Sequence, residues 1–398
     1  MKNLLIIIGL IFLVACSKTI DKQAPSLNQE DEKQSCDFGL TSFNLTKHPP
    51  VIDEQQTKNP HNTGGGTGGG STGGGGTTPS PAGVILLDFN GQLVSGTSWN
   101  SMVGGADINC ASANLTASDI SIIVQRVTND YSPFNITVTT DETVYNAASI
   151  YKRQRVVVTE SWEWYGQAGG TSFVGSFTTG TNTPCFVFSS LLNYNLKNIA
   201  EACAHEAGHT LGLRHQSTYD ANCIKLSEYN IGQGSGEIGW APIMGNSYYQ
   251  NLSLWHRGTN SVSCTTIQDD VATIAGVVGY RTDDYSNTIS GAASLTSSLS
   301  GTINNSSDVD FFLVNASTTK SVSVVPFNVG VYNAGADEDL ILRVYNSQGA
   351  LISTIDNSST LDVATTLSAG VYYLSVSTTA NPFTTTYGML GKYNITLN

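Results

Sequence analysis

The sequence predicts an α+β domain followed by an all-β sandwich, and three observations lead to this fold class. An apolar strand pattern at 84–89 and an amphipathic helical pattern at 118–127 open the body of the chain. A segment rich in helix formers at 196–204 leads into a group of histidines. From about Asp283 onward, short alternating runs recur between turn residues, which is typical of a β-sandwich.

Residues 1–16 have the features of an export signal. A basic start precedes an apolar run from Leu4 to Ala15, which is too short to span a bilayer. The end of this run, Leu13-Val14-Ala15-Cys16, resembles the lipobox of bacterial lipoproteins, in which Cys16 would be lipidated and become the mature N-terminus. This resemblance implies an exported protein held at the bacterial cell envelope, at the outer membrane or cell surface, or released from it. A plain secretory peptide that contains a cysteine is the alternative.

Residues 17–82 are polar and become Gly-rich between Thr63 and Pro79. A segment of this composition cannot bury enough apolar surface to offset its ordering entropy, so we expect it to be disordered. It could act as a tether between a lipid anchor and the folded domain. It could also contain an inhibitory prosegment, and the sequence leaves both interpretations open.

The first folded domain is expected to span residues 83–282. Its C-terminal third is rich in Gly and aromatic residues, with little periodicity before a last helix. The segment at 169–177 is either an edge strand or a loop. The other predicted elements are a strand at 84–89, a helix at 118–127, strands at 136–139 and 155–159, a helix from 196, and a helix from 268.

A motif with metal-binding spacing follows the helix formers and reads His205-Glu206-Ala207-Gly208-His209-Thr210-Leu211-Gly212-Leu213-Arg214-His215. Residues four apart share a helix face, so His205 and His209 can bind one metal ion. Glu206 can act as general base on a water molecule. Gly212 lets the helix end and turn, which brings back His215 as third ligand. Three protein ligands leave zinc one open position, which is the catalytic arrangement.

A chance H-E-x-x-H on an ordinary helix is the alternative, but the spaced glycine and third histidine argue against it. The extended pattern resembles the signature of the metzincin metalloproteases. The stretch Ala241-Pro242-Ile243-Met244-Gly245 resembles the Met-turn of that family, in which a methionine packs beneath the histidines. The resemblance implies a twisted mixed sheet, a zinc helix, a loop-rich C-terminal subdomain and one catalytic Zn²⁺.

Some metzincins place a tyrosine ligand two residues after the methionine, but Asn246 stands there in this chain. Tyr248 and Tyr249 follow later. We therefore expect these two tyrosines to contact the substrate or a reaction intermediate rather than the metal.

The cysteines are compatible with an oxidising compartment. Cys203 precedes His205 by two positions, so it points away from the metal face and belongs to the core or to a disulfide. A bridge between Cys223 and Cys264 would brace the irregular stretch around the Met-turn, although spacing alone leaves the pairing open. Cys36 could cap the zinc, as prosegment cysteines do in some metzincins, but the residues around it do not match that pattern.

Residues 283–398 resemble the pre-peptidase C-terminal domain of bacterial secreted proteases, on the runs Ser307–Phe312, Asp339–Tyr345 and Ala369–Leu374. The resemblance implies binding of substrate or matrix, or protection during export. The composition break near Asp283 predicts a separately folding unit. Asp308 and Asp310 could bind a structural Ca²⁺ ion or could simply be solvated.

The net charge of −13 argues against nucleic acid as a partner and gives no attraction to anionic lipid. We expect a monomeric zinc metalloendopeptidase that acts on protein or peptide substrates and meets the membrane only through its lipid anchor. One alternative is a surface adhesin or binding lipoprotein in which the sandwich is the working part. The other is a non-proteolytic zinc amidohydrolase.

Overall fold

The computed structural model describes residues 35–37, 83–327 and 334–398. The predicted export signal with Cys16, and all of 17–82 except the short strand at 35–37, lie outside the described residues. In the described part of the chain, no helix combines the length and the apolar character needed to cross a membrane.

The N-terminal region is organised around a six-stranded sheet with the strand order β1-β7-β8-β6-β2-β5. Strands β8, β6, β2 and β5 pair in parallel, whereas β7 is antiparallel to β8 and β1 is antiparallel to β7. Strands β3 and β4 form a separate pair. The strands are β1 (Ser35–Asp37), β2 (Gly83–Asp88), β3 (Gln92–Val94), β4 (Ile108–Cys110), β5 (Ile136–Thr139), β6 (Arg153–Thr159), β7 (Gly170–Phe173) and β8 (Cys185–Phe188).

Two of the four α-helices found among the described residues pack together beside this sheet. Helix α1 begins with a capping box, in which Thr116 and Asp119 each accept a hydrogen bond from the other's backbone N–H. It contacts α3, which is buried from Ile199 to Thr210. The hydroxyl of Tyr131, directly after α1, donates to the carbonyl of Ala204 at 2.8 Å. The helices are α1 (Ala117–Asp130), α2 (Glu142–Ala147), α3 (Leu196–Thr210) and α4 (Asp270–Val278), with 3₁₀ turns at Ser98–Val103, Ser176–Thr178 and Ile289–Gly291.

The strands predicted at 84–89, 136–139 and 155–159 are present, as are the helices predicted from 118, 196 and 268. The ambiguous segment at 169–177 contains strand β7 followed by a 3₁₀ turn. Strand β8 and helix α2 were not predicted. Both are short, and a four-residue apolar run such as β8 cannot be assigned by periodicity alone.

The chain after α3 is irregular and forms only two-stranded ladders before α4, as expected. A disulfide joins Cys223 and Cys264 across this stretch. Among the described residues Cys110, Cys185 and Cys203 are free and buried, and Cys203 lies in the main core. The ladders are formed by β9 (Thr218–Tyr219), β10 (Lys225–Ser227), β11 (Trp240–Pro242), β12 (Leu252–Leu254), β13 (Arg257–Thr259) and β14 (Ile267–Asp269).

The C-terminal region is β-rich and consists of a five-stranded sheet (β15-β17-β22-β19-β20) and a four-stranded sheet (β16-β23-β18-β21). Buried residues of both sheets, such as Phe312 and Leu374 from one and Val322 and Ile395 from the other, share one core. The strands are β15 (Ala293–Ser294), β16 (Ser298–Ile303), β17 (Asp310–Ala316), β18 (Lys320–Pro326), β19 (Leu340–Asn346), β20 (Leu351–Asp356), β21 (Val363–Leu367), β22 (Gly370–Thr378) and β23 (Gly391–Leu397).

The N-terminal and C-terminal regions are joined by buried contacts. A second cluster combines Trp240, Leu252 and Leu254 of β11 and β12 with C-terminal side chains that include Leu361 and Met389. Hydrogen bonds cross the same junction, from Ser253 N to Ala336 O (2.9 Å) and from Trp240 Nε1 to Phe383 O (2.6 Å). The domain boundary near Thr282 stays a prediction, but these contacts favour two regions that support each other.

Candidate metal and catalytic site

Helix α3 and the turn after it bring the three predicted histidine ligands together. His205 and His209 lie one helical turn apart and are both fully buried. The helix ends at Thr210, and Gly212 follows with a φ of +105°, a conformation that favours glycine. This turn returns the chain so that one ligand atom of each histidine, including His215, lies within 4.8 Å of the others.

Each histidine is oriented through its Nδ1 atom. Carbonyl oxygens accept from Nδ1 of His205 (Ile243, 2.7 Å) and Nδ1 of His209 (Leu213, 2.8 Å). A carbonyl can only accept, so Nδ1 carries the hydrogen and Nε2 carries the free electron pair. Within the described part of the chain, Nε2 of His209 and of His215 is buried with no hydrogen-bond partner. These nitrogen atoms therefore fit a metal ion that binds neutral imidazole, as zinc does.

Glu228 completes the support of the third histidine. Its Oε1 accepts from Nδ1 of His215 at 2.7 Å, and its Oε2 accepts from Lys225 Nζ at 2.6 Å. Burial alone would raise the pKa of Glu228, but the hydrogen bonds from His215 and Lys225 outweigh it and leave that pKa below its ordinary value. A carboxylate behind a ligating histidine fixes the ring and increases its basicity.

Burial and the neighbouring imidazoles keep two of the histidines neutral. Burial, followed by the charges of His209 and His215, holds the pKa of His205 well below its ordinary value. Burial and the charge of His215 do the same to the pKa of His209. The neutral form is the one that binds a metal.

Glu206 lies against strand β7. Its side chain is fully buried, and the hydroxyl of Ser172 donates to its Oε2 and to its backbone carbonyl. A Cβ atom at Gly170 would lie 2.7 Å from both Cγ and Oε1 of Glu206, so only glycine leaves room for this carboxylate. Burial, followed by the charge of Glu206, raises the pKa of Tyr248 well above its ordinary value, as expected for a phenol near a carboxylate.

Met244 packs against the helix that carries the histidines. A Cβ atom at Gly208 would lie 2.7 Å from the Met244 sulfur. The carbonyl of Met244 accepts from the backbone N–H of Gln216 at 2.7 Å, next to His215. The preceding Ile243 accepts from His205. The turn at Met244 therefore supports the first and third histidines through its backbone and the helix through its side chain.

The two tyrosines predicted to contact substrate have different environments. Tyr248 is buried in the main core, whereas Tyr249 is 80% exposed and lines a cavity of about 590 Å³ with Glu237 and Ser359. A tyrosine that the sequence did not single out, Tyr229, lies next to the histidines. Its ring centroid is 4.4 Å from that of His215 and 6.4 Å from that of His205.

Sequence reasoning missed Ser172, Glu228 and Tyr229. Glu228 and Tyr229 lie in an irregular stretch, where no periodicity relates them to His215. Ser172 lies on a different element from Glu206, and only the packing of β7 on α3 brings the two together. His205, Glu206, His209, Gly212, His215 and Met244 were named from the sequence because the histidine motif or the Met-turn pattern marks them, and their roles stay predictions.

Asp310, one of the two residues that the sequence suggests for calcium, lies in a group of three carboxylates. One carboxylate oxygen of Asp310 lies within 4.8 Å of those of Asp283 and Asp284. Asp308 instead accepts a hydrogen bond from the backbone N–H of Asn304 at 2.8 Å. Calcium at this place stays a prediction.

Comparison with known proteins agrees with this site. Residues 93–255, which include all three histidines, Glu206 and Met244, match the model of the Peptidase_M57 family, described as "Dual-action HEIGH metallo-peptidase". The five letters of that description differ from the chain at one position, where Ala207 stands in place of isoleucine. No curated protein matches the chain.

Two solved structures have a low similarity to this chain. The pre-peptidase C-terminal domain of collagenase from Bacillus anthracis is 13% identical, with 30% of this chain and 98% of that chain covered and a TM-score of 0.20. PliG from Aeromonas hydrophila, a periplasmic lysozyme inhibitor of g-type lysozyme, is 13% identical, with 25% of this chain and 84% of that chain covered and a TM-score of 0.18. Neither likeness bears on the activity. The match over residues 93–255 indicates a metallopeptidase, and a metallopeptidase implies a bound metal, typically zinc.

Proposed function

We propose that the protein is a zinc-dependent endopeptidase of the metzincin type that hydrolyses peptide bonds of extracellular proteins. The observation that carries this proposal is the convergence of His205, His209 and His215 on one point, with Glu206 beside them on the same helix. A set of three histidines with an adjacent carboxylate suits a catalytic metal rather than a structural one. The family match over residues 93–255 supports the same activity.

His205, His209 and His215 would hold the ion through Nε2. When bound, zinc supplies a Lewis acid that polarises the scissile carbonyl and lowers the pKa of a water molecule. Glu206 takes the proton of the attacking water on its carboxylate and delivers it to the leaving amine nitrogen. Ser172 keeps that carboxylate in one orientation through its hydroxyl. We propose that Tyr229, whose ring lies against that of His215, and Tyr248, whose phenol feels the charge of Glu206, contact the reacting groups.

The substrate is proposed to bind as an extended strand along β7. This strand lies next to Glu206, and it pairs with β8 along one edge and with β1 along the other. An extended peptide that took the place of β1 would bind the outer edge through backbone hydrogen bonds. Recognition of backbone rather than one side chain suits an endopeptidase with protein substrates.

Export and anchoring through lipidated Cys16, and a monomeric state, belong to the same proposal. Export and anchoring rest on the apolar run that ends in Leu13-Val14-Ala15-Cys16. Cys16→Ser should leave the protein in the soluble fraction or unprocessed. A variant that stays in the membrane pellet at the normal mature mass would rule out the lipid anchor.

Casein hydrolysis by the purified protein, with and without a chelator, tests the proposed activity. Chelator-sensitive cleavage supports the endopeptidase. Release of ammonia or amines from small amides without casein cleavage would favour the zinc amidohydrolase. Binding of matrix protein or carbohydrate with neither activity would favour the adhesin.

A further inference from the structure

Asp270 is a fully buried carboxylate at the beginning of helix α4, and the proposed mechanism does not use it. Its Oδ1 accepts hydrogen bonds from the side-chain amides of Gln216 (3.0 Å) and Gln268 (2.9 Å). Its Oδ2 accepts a hydrogen bond from the backbone N–H of His256 at 2.9 Å. A buried carboxylate lowers stability unless hydrogen bonds replace those that it made to water. Three N–H donors do so here and hold the carboxylate between the two glutamine side chains.

The two glutamines connect Asp270 to both neighbours of the third histidine. The amide of Gln268 binds the backbone of Arg214 twice, since its Oε1 accepts from the N–H (2.9 Å) and its Nε2 donates to the carbonyl (2.7 Å). Gln216 directly follows His215, and its own amide reaches the same carboxylate. The carbonyl of Arg214 belongs to the peptide group before the Cα atom of His215, and Gln216 begins with the peptide group after it. Asp270 therefore connects the backbone on the two sides of His215.

The third histidine depends on such contacts more than the other two do. His205 and His209 lie on helix α3, whose backbone hydrogen bonds fix their relative position. His215 lies beyond the end of that helix and outside the strands. Zinc tolerates little displacement of a ligand, because its bonds to imidazole nitrogen are about 2.0–2.1 Å long. The position of the third ligand is therefore set by the side chains that hold its backbone.

We propose that Asp270 is a positioning residue for His215, which sets the metal affinity of the site by holding Gln216 and Gln268 in place on either side of that histidine. It acts on the backbone of His215, whereas Glu228 acts on the ring. The inference rests on the proposed function in one respect, because it takes the three histidines as zinc ligands. Removal of a group that orients a metal ligand from behind typically weakens metal binding ten- to a hundredfold.

Two substitutions of Asp270 separate its hydrogen bonds from its charge. Asp270→Ala removes the acceptor from both glutamine amides. Asp270→Asn removes the charge and keeps one oxygen atom. That oxygen should face the two glutamine amides, because the opposite orientation places an NH₂ group against two donors instead of one. Asp270→Asn is therefore the conservative variant that should restore the position of His215.

Two further variants keep the test decisive. Ile274→Ala, at a fully buried side chain of the same helix, is the matched control, because it lowers stability through loss of packing. Gln268→Met breaks the contact with Arg214 at a similar side-chain volume, and it tests the proposal even if Asp270→Ala does not fold.

The measurements use the full-length protein. Competition with a chromophoric chelator gives the zinc affinity of each variant. The absorption spectrum of the Co²⁺-loaded protein reports the geometry of the ligand set. Denaturant unfolding of the metal-free protein reports stability, and hydrolysis of a short peptide by the zinc-loaded protein gives kcat and KM. Zinc affinity and the Co²⁺ spectrum do not depend on peptidase activity.

Asp270→Ala and Gln268→Met should bind zinc about ten- to a hundredfold more weakly and show an altered Co²⁺ spectrum. Asp270→Asn and Ile274→Ala should match the parent in both. Parent-like zinc affinity in Asp270→Ala or in Gln268→Met would overturn the proposal.

The control and the conservative variant can also overturn it. Equal loss of zinc affinity in Ile274→Ala and Asp270→Ala would reduce the effect to general stability. Equal loss in Asp270→Asn and Asp270→Ala would mean that the charge acts, and not the hydrogen bonds. If no protein in the set cleaves peptide while the zinc affinities follow the expected order, the peptidase function is wrong and the positioning role of Asp270 is confirmed.

Discussion

The hydrogen bond between Ser172 and Glu206 fixes the orientation of the proposed general base. The hydroxyl donates to the carboxylate inside a fully buried site. A buried hydrogen bond to a charged group contributes about 1.5–3 kcal/mol. Loss of this bond leaves Glu206 with more than one orientation and lowers the fraction of productive encounters with water.

Ser172→Ala should therefore lower kcat about tenfold or more with little change in KM and full zinc content. Ser101→Ala, at an exposed serine whose hydroxyl donates to the carbonyl of Ser98, is the matched control and should leave all three quantities unchanged. An alanine variant with normal kcat would show that Ser172 has no part in positioning Glu206.

The residue scale also shows which site residues a single sequence can indicate. His205, Glu206, His209 and His215 were predicted because a helix relates positions four apart, and a glycine with positive φ explains the return of the chain. Ser172, Glu228 and Tyr229 reach the site through tertiary packing between elements. No local spacing encodes such contacts, so a single sequence could not indicate them.

At the scale of elements, the packing of the Met244 turn on α3 is the contact most sensitive to volume. Gly208 lies in the last turn of the helix, and within a helix glycine costs up to about 1 kcal/mol relative to alanine. The Met244 sulfur explains the glycine, because a Cβ atom there would approach it to 2.7 Å.

Gly208→Ala should destabilise the protein by about 1–3 kcal/mol through overpacking, despite the better helix propensity of alanine. It should also reduce activity, because the turn supports His205 through Ile243. Gly276→Ala in α4 is the control, since nothing lies within 4 Å of its added Cβ atom. It should stabilise the protein slightly. Denaturant unfolding measures the free energy of unfolding of both variants. Equal changes in that free energy would contradict the packing of Met244 on Gly208.

Elements were predictable where they are long or strongly patterned. The helix over Ala117–Asp130 and the strand over Arg153–Thr159 have clear periodicity and end signals. The short strands β8 and β1 do not, because three or four residues carry no period. The pairing of β1 with β7 joins positions far apart in the chain, and no local pattern predicts such a contact.

At the scale of the whole molecule, the composition break near Asp283 predicted a unit that folds separately. The contacts between the N-terminal and C-terminal regions instead favour two regions that stabilise each other. Trp240, Leu252 and Leu254 are buried against C-terminal side chains. Exposure of each side chain costs about 1.5–3 kcal/mol. The sum is comparable with the total stability of a typical domain, about 5–15 kcal/mol.

A chain that ends at Thr282 should therefore lose cooperative unfolding or most of its stability, and peptidase activity with it. A chain that begins at Gly83 keeps all of these contacts and is the control, with normal stability expected. Calorimetry measures the stability of the two truncated chains, and a short-peptide assay measures their peptidase activity. If the chain truncated at Thr282 keeps the full-length melting temperature and turnover, the two regions fold independently of each other.

The measurement that tests the central claim most directly is zinc content together with peptidase rate in Glu206→Gln and in His205→Ala, His209→Ala and His215→Ala. If Glu206 is the general base and not a ligand, Glu206→Gln keeps its zinc while its rate falls about a hundred- to ten-thousandfold. Each histidine variant should lose zinc and activity together, because two protein ligands remain. A Glu206→Gln enzyme with near-normal turnover, or a His215→Ala enzyme with full zinc and full activity, would contradict the account.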